Sequence, residues 1–217
     1  MEPAARAALS EGRSADAIHR LVCTVLDEQA QSARALIDVG CGTGTLSRVL
    51  GGRVPSYVGC DVVRYPGFPE GASFVQADLN CAPYPVEEAC ADVVACVETI
   101  EHLENPRMVM RELVRIVRPG GLVLVTTPNQ LSLLSKLTLV VKNQFQAFQD
   151  VDYPAHITAL VERDLMRIGQ ECGLESLQIR FTDSGRIPGT ARHWPGRVGL
   201  RGRWFSDNVL LSGRRPL

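Results

Sequence analysis

Two clusters in this chain carry groups that could do chemistry. The first is Asp38-Val39-Gly40-Cys41-Gly42-Thr43-Gly44, with further carboxylates downstream at Asp61 and Asp78. Glycines between a strand and a helix let the backbone turn sharply and approach a ligand with no Cβ in the way. The spacing is G-x-G-x-G, and Thr45 stands where a G-x-G-x-x-G dinucleotide loop needs its third glycine. No Lys-Ser or Lys-Thr follows, so the Walker-A phosphate cradle is also missing. Asp38, two residues before the first glycine, would repel a phosphate but could accept hydrogen bonds from a cationic amine. Asp61, 17 residues after Gly44, falls where an α/β nucleotide fold sets a carboxylate against ribose hydroxyls. The second cluster is Glu98, Glu101 and His102, at i, i+3 and i+4. In a helix all three would face one side and could share a divalent cation, with His156 completing the set. His102 alone could take the proton of a hydroxyl, or could simply satisfy a backbone carbonyl.

The elements that must position these groups follow from periodicity. From Ser14, Ile18, Leu21, Val22, Val25 and Leu26 recur at helical spacing, so 14–31 reads as an amphipathic helix. Short apolar runs predict strands at 35–39, 56–60, 73–76, 92–97 and 122–127, with helices over 46–50 and 105–117 between them. Pro106 suits a first helical turn, and Pro119-Gly120-Gly121 reads as a turn that stops that helix. A helix over 162–172 and strands at 174–181 and 208–212 complete the pattern. Strands alternating with helices imply crossovers, hence an α/β, Rossmann-like, seven-stranded, mostly parallel sheet with helices on both faces. The final two strands, joined by a long loop without helical period, form a C-terminal antiparallel strand pair at one edge.

Composition bounds the rest. The 217 residues, 45% hydrophobic and 22% charged, fit one globular domain over 1–217 and exclude disorder as a whole-chain state. Residues 1–13 read as a frayed N-terminus, and no apolar run is long enough for a bilayer span. A cytoplasmic location is the expectation. Seven cysteines without a C-x-x-C pair give neither a zinc ribbon nor a redox motif. The net charge of −1 hides an asymmetry: residues 186–217 hold seven Arg against Asp207, a net +6, leaving the remainder acidic.

Three carboxylates, small loops and no basic phosphate clamp suit a nucleoside that carries an amino group and no phosphate, which is S-adenosylmethionine. The series from Asp38–Gly44 through Asp61, Gln76-Ala77-Asp78-Leu79, the 92–98 strand and Arg118-Pro119-Gly120-Gly121 resembles the class I S-adenosylmethionine-dependent methyltransferases, of the small type 11/type 12 kind. The match covers roughly 35–127. The resemblance implies S-adenosyl-L-methionine as cofactor and S-adenosyl-L-homocysteine as product. It also implies that Asp38, Gly40, Cys41, Gly42 and Gly44 hold the methionine moiety, Asp61 the ribose, and Asp78 and Leu79 the adenine, with Val62 and Val97 as further cofactor-binding residues. The acceptor meets the methyl group after that strand, where His102, Glu98 and Glu101 are the candidate catalytic residues. E-x-x-E-H is similar to two metal-assisted branches, the ubiquinone-pathway O-methyltransferases and the small-RNA ribose methyltransferases. The same Glu-His pair occurs in metal-free members, so no metal is assigned.

The absence of Asn/Asp-Pro-Pro-Tyr and of Pro-Cys argues against base-nitrogen and cytosine-carbon targets. Segments 128–160 and 182–207 are variable and belong to the substrate side. Segment 131–141 is apolar but broken by Lys136, a cap helix or a wall for a lipophilic substrate. The second segment interleaves Trp194, Trp204 and Phe205 with Arg192, Arg197, Arg201 and Arg203, which suits stacked bases or an anionic sugar, or else plugs the sheet edge. The acidic remainder argues against a nucleic-acid partner. The sequence therefore predicts methyl transfer to a hydroxyl of a small or glycan/lipid-linked metabolite. The alternatives are metal-assisted RNA ribose 2′-O-methylation and a non-catalytic cofactor-binding subunit.

Overall fold

The computed structural model describes residues 12, 14–183, 185–187, 190, 192–194 and 199–217. The short apolar runs become β1 (Ala35–Val39), β2 (Ser56–Asp61), β3 (Ser73–Gln76), β4 (Ala91–Val97), β5 (Val117–Pro128), β6 (Glu175–Phe181) and β7 (Asn208–Arg214). They form one sheet in the order β3-β2-β1-β4-β5-β7-β6. β1 to β5 are parallel, and β7 runs antiparallel to both β5 and β6. The expected parallel sheet with a C-terminal antiparallel pair is thus present.

Strands buried on both faces need two sets of helices, and the side chains of successive residues divide between them. Leu36, Val93, Ala95, Leu122, Leu124 and Leu210 pack with α1 (Asp16–Gln29) and α2 (Thr45–Leu50). Their neighbours Ile37, Val94, Cys96, Val123, Val125 and Leu211 pack on the other face. There they meet α3 (Pro106–Ile116), through Val109, Met110, Leu113 and Ile116, and α5 (Glu162–Glu171), through Leu165 and Ile168. Each such Leu or Ile contributes about 1.5–3 kcal/mol by leaving water. Local signals set the helix starts. The Asn105 side chain accepts the Met108 N–H ahead of Pro106, and Ser132 accepts the Ser135 N–H to open α4 (Leu133–Lys142).

One expectation needs correcting. Pro119-Gly120-Gly121 does not separate helix from strand as a free turn; it lies inside β5. Gly120, at φ +74°, donates its N–H to the Arg215 carbonyl at 2.8 Å, and Arg215 returns its own to Gly121 at 3.1 Å. The C-terminal chain thus holds this stretch extended, a long-range pairing that local turn chemistry does not reveal. The frayed terminus expected over 1–13 lies outside the described residues apart from Gly12. Among the described residues, no helix is long and apolar enough to cross a membrane.

The strand order fixes where a ligand can sit. The chain lays down β1, β2 and β3 in one direction, then returns to place β4 and β5 on the other side of β1. Crossovers therefore diverge between β1 and β4, opening a crevice at their carboxyl ends. Asp38 and Glu98 stand on its two sides.

Candidate functional site

The crevice opens into a cavity of about 850 Å³. Of the sequence-predicted cofactor residues, all but Gly44 line it; Gly44 instead precedes α2 at φ +71°. The glycine loop is as close-fitting as its composition suggests. A Cβ on Gly40, whose φ is +78°, would fall 2.1 Å from Thr99 Oγ1, and one on Gly42 would fall 2.4 Å from the Gly12 carbonyl oxygen. Gly40→Ala is therefore expected to destabilise the fold by more than about 1 kcal/mol, read as a lowered Tm. Gly52→Ala, at φ +84° with nothing within 4 Å of its Cβ, is the control that isolates the backbone cost and should lose less.

Every amide of the loop is committed inside the protein. Gly40 and Cys41 donate to the Cys60 carbonyl at 2.7 and 3.3 Å, and Gly42 donates to Asp61 Oδ2 at 2.9 Å. Thr43 donates to Gly12 at 3.0 Å and Gly44 to Cys41 at 2.9 Å. A phosphate cradle needs such amides pointing at the ligand, so this loop offers a diphosphate nothing. It offers a cation more. Asp38 is 2% exposed; its Oδ2 accepts the Tyr57 hydroxyl at 2.6 Å and its Oδ1 has no partner. Burial, with the Asp61 charge nearby and against the Tyr57 hydrogen bond, pushes the Asp38 pKa up to about 7. Asp61 closes β2, its carboxylate accepting the amides of Gly42 and Val62, while burial still raises its pKa. At the far side, Asp78 accepts the Asn80 N–H at 3.0 Å and the buried Leu79 is fixed by the Tyr84 hydroxyl on its carbonyl at 2.8 Å.

The segment after β4 departs from the helical face expected for Glu98, Glu101 and His102. Only Ile100–His102 turns, as one 3₁₀ turn, while Glu98 takes φ +49°. Thr126 donates to Glu98 Oε1 at 2.8 Å and Asn208 to Oε2 at 2.7 Å, so this carboxyl ties β4 to β5 and β7. Burial raises its pKa to about 7, against both hydrogen bonds. Glu101 and His102 instead meet His156. One ligand atom from each of the three lies within 4.8 Å of the others. The His102 and His156 rings stand edge to face at 4.7 Å. His102 Nδ1 faces the Ala155 carbonyl at 2.8 Å and His156 Nδ1 the Ala147 carbonyl, so Nε2 is the basic nitrogen of each. Glu101 is wholly buried with neither carboxylate oxygen hydrogen-bonded; burial first, then the Glu98 charge, hold its carboxyl well above the usual range. Two donors on one ion at about 2.1 Å stand at most about 4.2 Å apart, so the trio could hold a divalent cation after a small closing movement.

Comparison with known proteins supplies the family. A family model described as a methyltransferase domain matches residues 9–179. The chain belongs to the methyltransferase-domain family. The cofactor is accordingly S-adenosylmethionine. A ubiquinone biosynthesis O-methyltransferase of Pseudomonas paraeruginosa is 34% identical over 131 residues, 56% of each chain. One of Aeromonas salmonicida is 27% identical over 65% of this chain and 63% of its own. A malonyl-[acyl-carrier protein] O-methyltransferase of Hahella chejuensis is 30% identical over 69% of this chain and 55% of its own. The chain thus spans between 55% and 63% of the length of these curated relatives. The fold matches the crystal structure of a SAM-dependent methyltransferase from Archaeoglobus fulgidus at TM-score 0.65 and 17% identity, over 91% of this chain and 94% of that one.

The residues of this methyltransferase domain fit the cofactor. An orphaned carboxylate suits a cationic amine, a second carboxylate at the end of β2 suits vicinal hydroxyls, and the absence of a free amide nest suits a ligand without phosphate. Sequence reasoning missed three supports of the site. Tyr57 holds Asp38 and is visible in sequence only as an aromatic in a strand. Asn208 reaches Glu98 from 110 residues away. His19 sits on the apolar face of α1 and lines the same cavity. In the 182–207 segment, Trp194 packs edge-on against Phe205, and Trp204, half exposed, lies under the Lys136 ammonium at 3.6 Å. Arg197 lies outside the described residues.

Proposed function

We propose that this domain transfers the methyl group of S-adenosylmethionine to a hydroxyl of a small or lipid-linked metabolite, with His102 as general base. The observation that carries this reading is the Glu101–His102–His156 cluster, which joins the turn after β4 to the segment after α4 and lines the same cavity as Asp38. When bound, S-adenosylmethionine supplies a methyl group already activated on a sulfonium, so the protein's tasks are alignment and proton removal. Asp38 Oδ1 would accept from the amino group and Asp61 from the ribose hydroxyls, with Asp78 and Leu79 beside the adenine and Val62 on the same wall of the cavity. His102 Nε2 would take the acceptor hydroxyl's proton, the one proton transfer that the bound cofactor's activated methyl leaves to the protein. The imidazolium that forms gives Glu101 the cationic neighbour it otherwise lacks, an interaction that grows only during transfer. Glu98 holds the turn in place through Thr126 and Asn208.

The acceptor side carries exposed apolar side chains among the polar Gln149 and Asp152. Val151 and Tyr153 line the cavity while 89% and 71% exposed, beside α4 with its exposed Val140 and Val141. Such a ledge suits an acceptor with a hydrocarbon part, and relatives named as ubiquinone biosynthesis O-methyltransferases make a hydroxyl acceptor the natural class. Release of S-adenosylhomocysteine with hydroxylated aromatics bearing and lacking a prenyl tail tests it; no release with any of them rejects it.

Asp38 makes cofactor affinity depend on pH. Its pKa of about 7 in the free protein means that a cationic ligand must displace a proton below that value. Affinity should fall as the pH drops from about 7 to about 5, approaching tenfold per unit. Asp38→Asn should bind weakly with a flat profile, as read by calorimetry across that range.

The same three ligand atoms favour a second reading, in which Glu101, His102 and His156 hold a divalent cation that lowers the pKa of the acceptor hydroxyl. RNA ribose methylation is its nucleic-acid form. Turnover lost to chelation and restored by manganese or magnesium supports the cation, and RNA binding that weakens steeply with salt supports the RNA form. A non-catalytic subunit would bind cofactor and release no product with any acceptor.

A further inference from the structure

Among the described residues, five buried side-chain polar atoms lack a hydrogen-bond partner, and four of them belong to residues that line the cavity: His19 Nδ1, Asp38 Oδ1 and both oxygens of Glu101. The proposed reaction uses Asp38 and Glu101 and leaves His19 without a task. A buried ring nitrogen without a partner is costly to keep, so its persistence on an otherwise apolar helix face calls for a ligand.

The position of His19 says which part of the ligand it meets. The chain just before α1 lies on the glycine loop, where Gly12 accepts the Thr43 N–H and its carbonyl oxygen stands 2.4 Å from the place a Gly42 Cβ would take. The first turns of α1 therefore roof the end of the cavity that holds the amino-acid part of the cofactor, with Ala15, Ile18 and His19 lining it. That part carries two charges. Asp38 answers the ammonium, but the α-carboxylate needs a donor, and the loop has none left because all five of its amides from Gly40 to Gly44 are spent internally. Thr45 Oγ1 is already paired with Arg48 and Thr43. The other basic side chains on the cavity are engaged elsewhere. Arg186 and His193 lie against Asp207, and His102 and His156 stand at the acceptor end. His19 is 3% exposed, and its near acceptor, the Ala15 carbonyl one turn back, makes no well-aligned bond to Nδ1.

We infer that His19 donates a hydrogen bond to the α-carboxylate of the cofactor's methionyl group, fixing that end of the cofactor opposite Asp38. It is a cofactor-binding residue on α1, outside the glycine loop, and the inference rests on S-adenosylmethionine being the ligand.

The test is calorimetry on the full chain with S-adenosylmethionine and with decarboxylated S-adenosylmethionine, which keeps amine, sulfonium and nucleoside and lacks only the carboxylate. The wild type should prefer the first by about tenfold or more, the worth of one charge-assisted hydrogen bond. His19→Ala should bring the ratio to within about threefold and leave the affinity for the decarboxylated compound unchanged, and His19→Gln, which keeps an N–H donor, should recover part of the preference. A ratio unchanged in His19→Ala overturns the inference. So does an equal loss for both ligands, which would make His19 a packing residue. Wild-type protein that binds neither compound would remove the cofactor assignment itself and the inference with it.

Discussion

His102→Ala is expected to lower methyl transfer by about a hundredfold to ten-thousandfold, the usual worth of a positioned general base. Cofactor affinity should stay within about twofold, less than the worth of one ordinary hydrogen bond, because His102 belongs to the acceptor-side cluster with Glu101 and His156. The prediction follows from geometry: the ring is oriented through Nδ1 on the Ala155 carbonyl, so Nε2 is presented as the basic atom, with Glu101 and His156 beside it. His156→Ala removes a neighbour and not the base, and should cost less. Single-turnover rates with saturating cofactor separate the two. If His102→Ala retained wild-type turnover, the base assignment would be wrong and the divalent-cation reading would need other ligands as well.

Asp61→Ala should weaken both S-adenosylmethionine and S-adenosylhomocysteine by well over tenfold, or ~1.4 kcal/mol. Two effects combine. Two ribose hydroxyls lose their acceptor, and the Gly42 amide, which donates to Asp61 Oδ2 at 2.9 Å, loses the partner that pins the loop. A 2′,3′-dideoxy analogue of S-adenosylhomocysteine tells them apart: the wild type should discriminate against it strongly and Asp61→Ala hardly at all. Equal discrimination in both proteins would falsify the ribose assignment while leaving the loop-pinning role intact.

The cofactor end was legible in sequence because its demands are local. Gly40 and Gly42 must adopt φ of +78° and +51° against close neighbours, and only glycine does so freely, so the loop shows itself as spacing. Strands buried on both faces likewise show as uninterrupted apolar runs, as at Ala91–Val97. The acceptor end was not legible to the same degree. Helical spacing set Glu98 beside Glu101 and His102, but Glu98 turns away at φ +49° because Thr126 and Asn208 compete for it, and the latter belongs to the far end of the chain. Pro119 to Gly121 read as a turn for the same reason: their partner is Arg215. His19 left no trace, since a histidine among Ile18, Val22 and Val25 is in sequence one more member of a buried face.

β7 has a consequence for biosynthesis. It is the strand placed latest in sequence, yet it lies between β5 and β6 and supplies Asn208 to Glu98. A nascent chain can therefore assemble the strands from β1 to β4 while β5 still exposes an open edge on the ribosome, competent to pair with a neighbouring polypeptide. Translation must run past Asn208 before Glu98, at the start of the turn bearing Glu101 and His102, is braced, and through Arg214 before that edge is sealed.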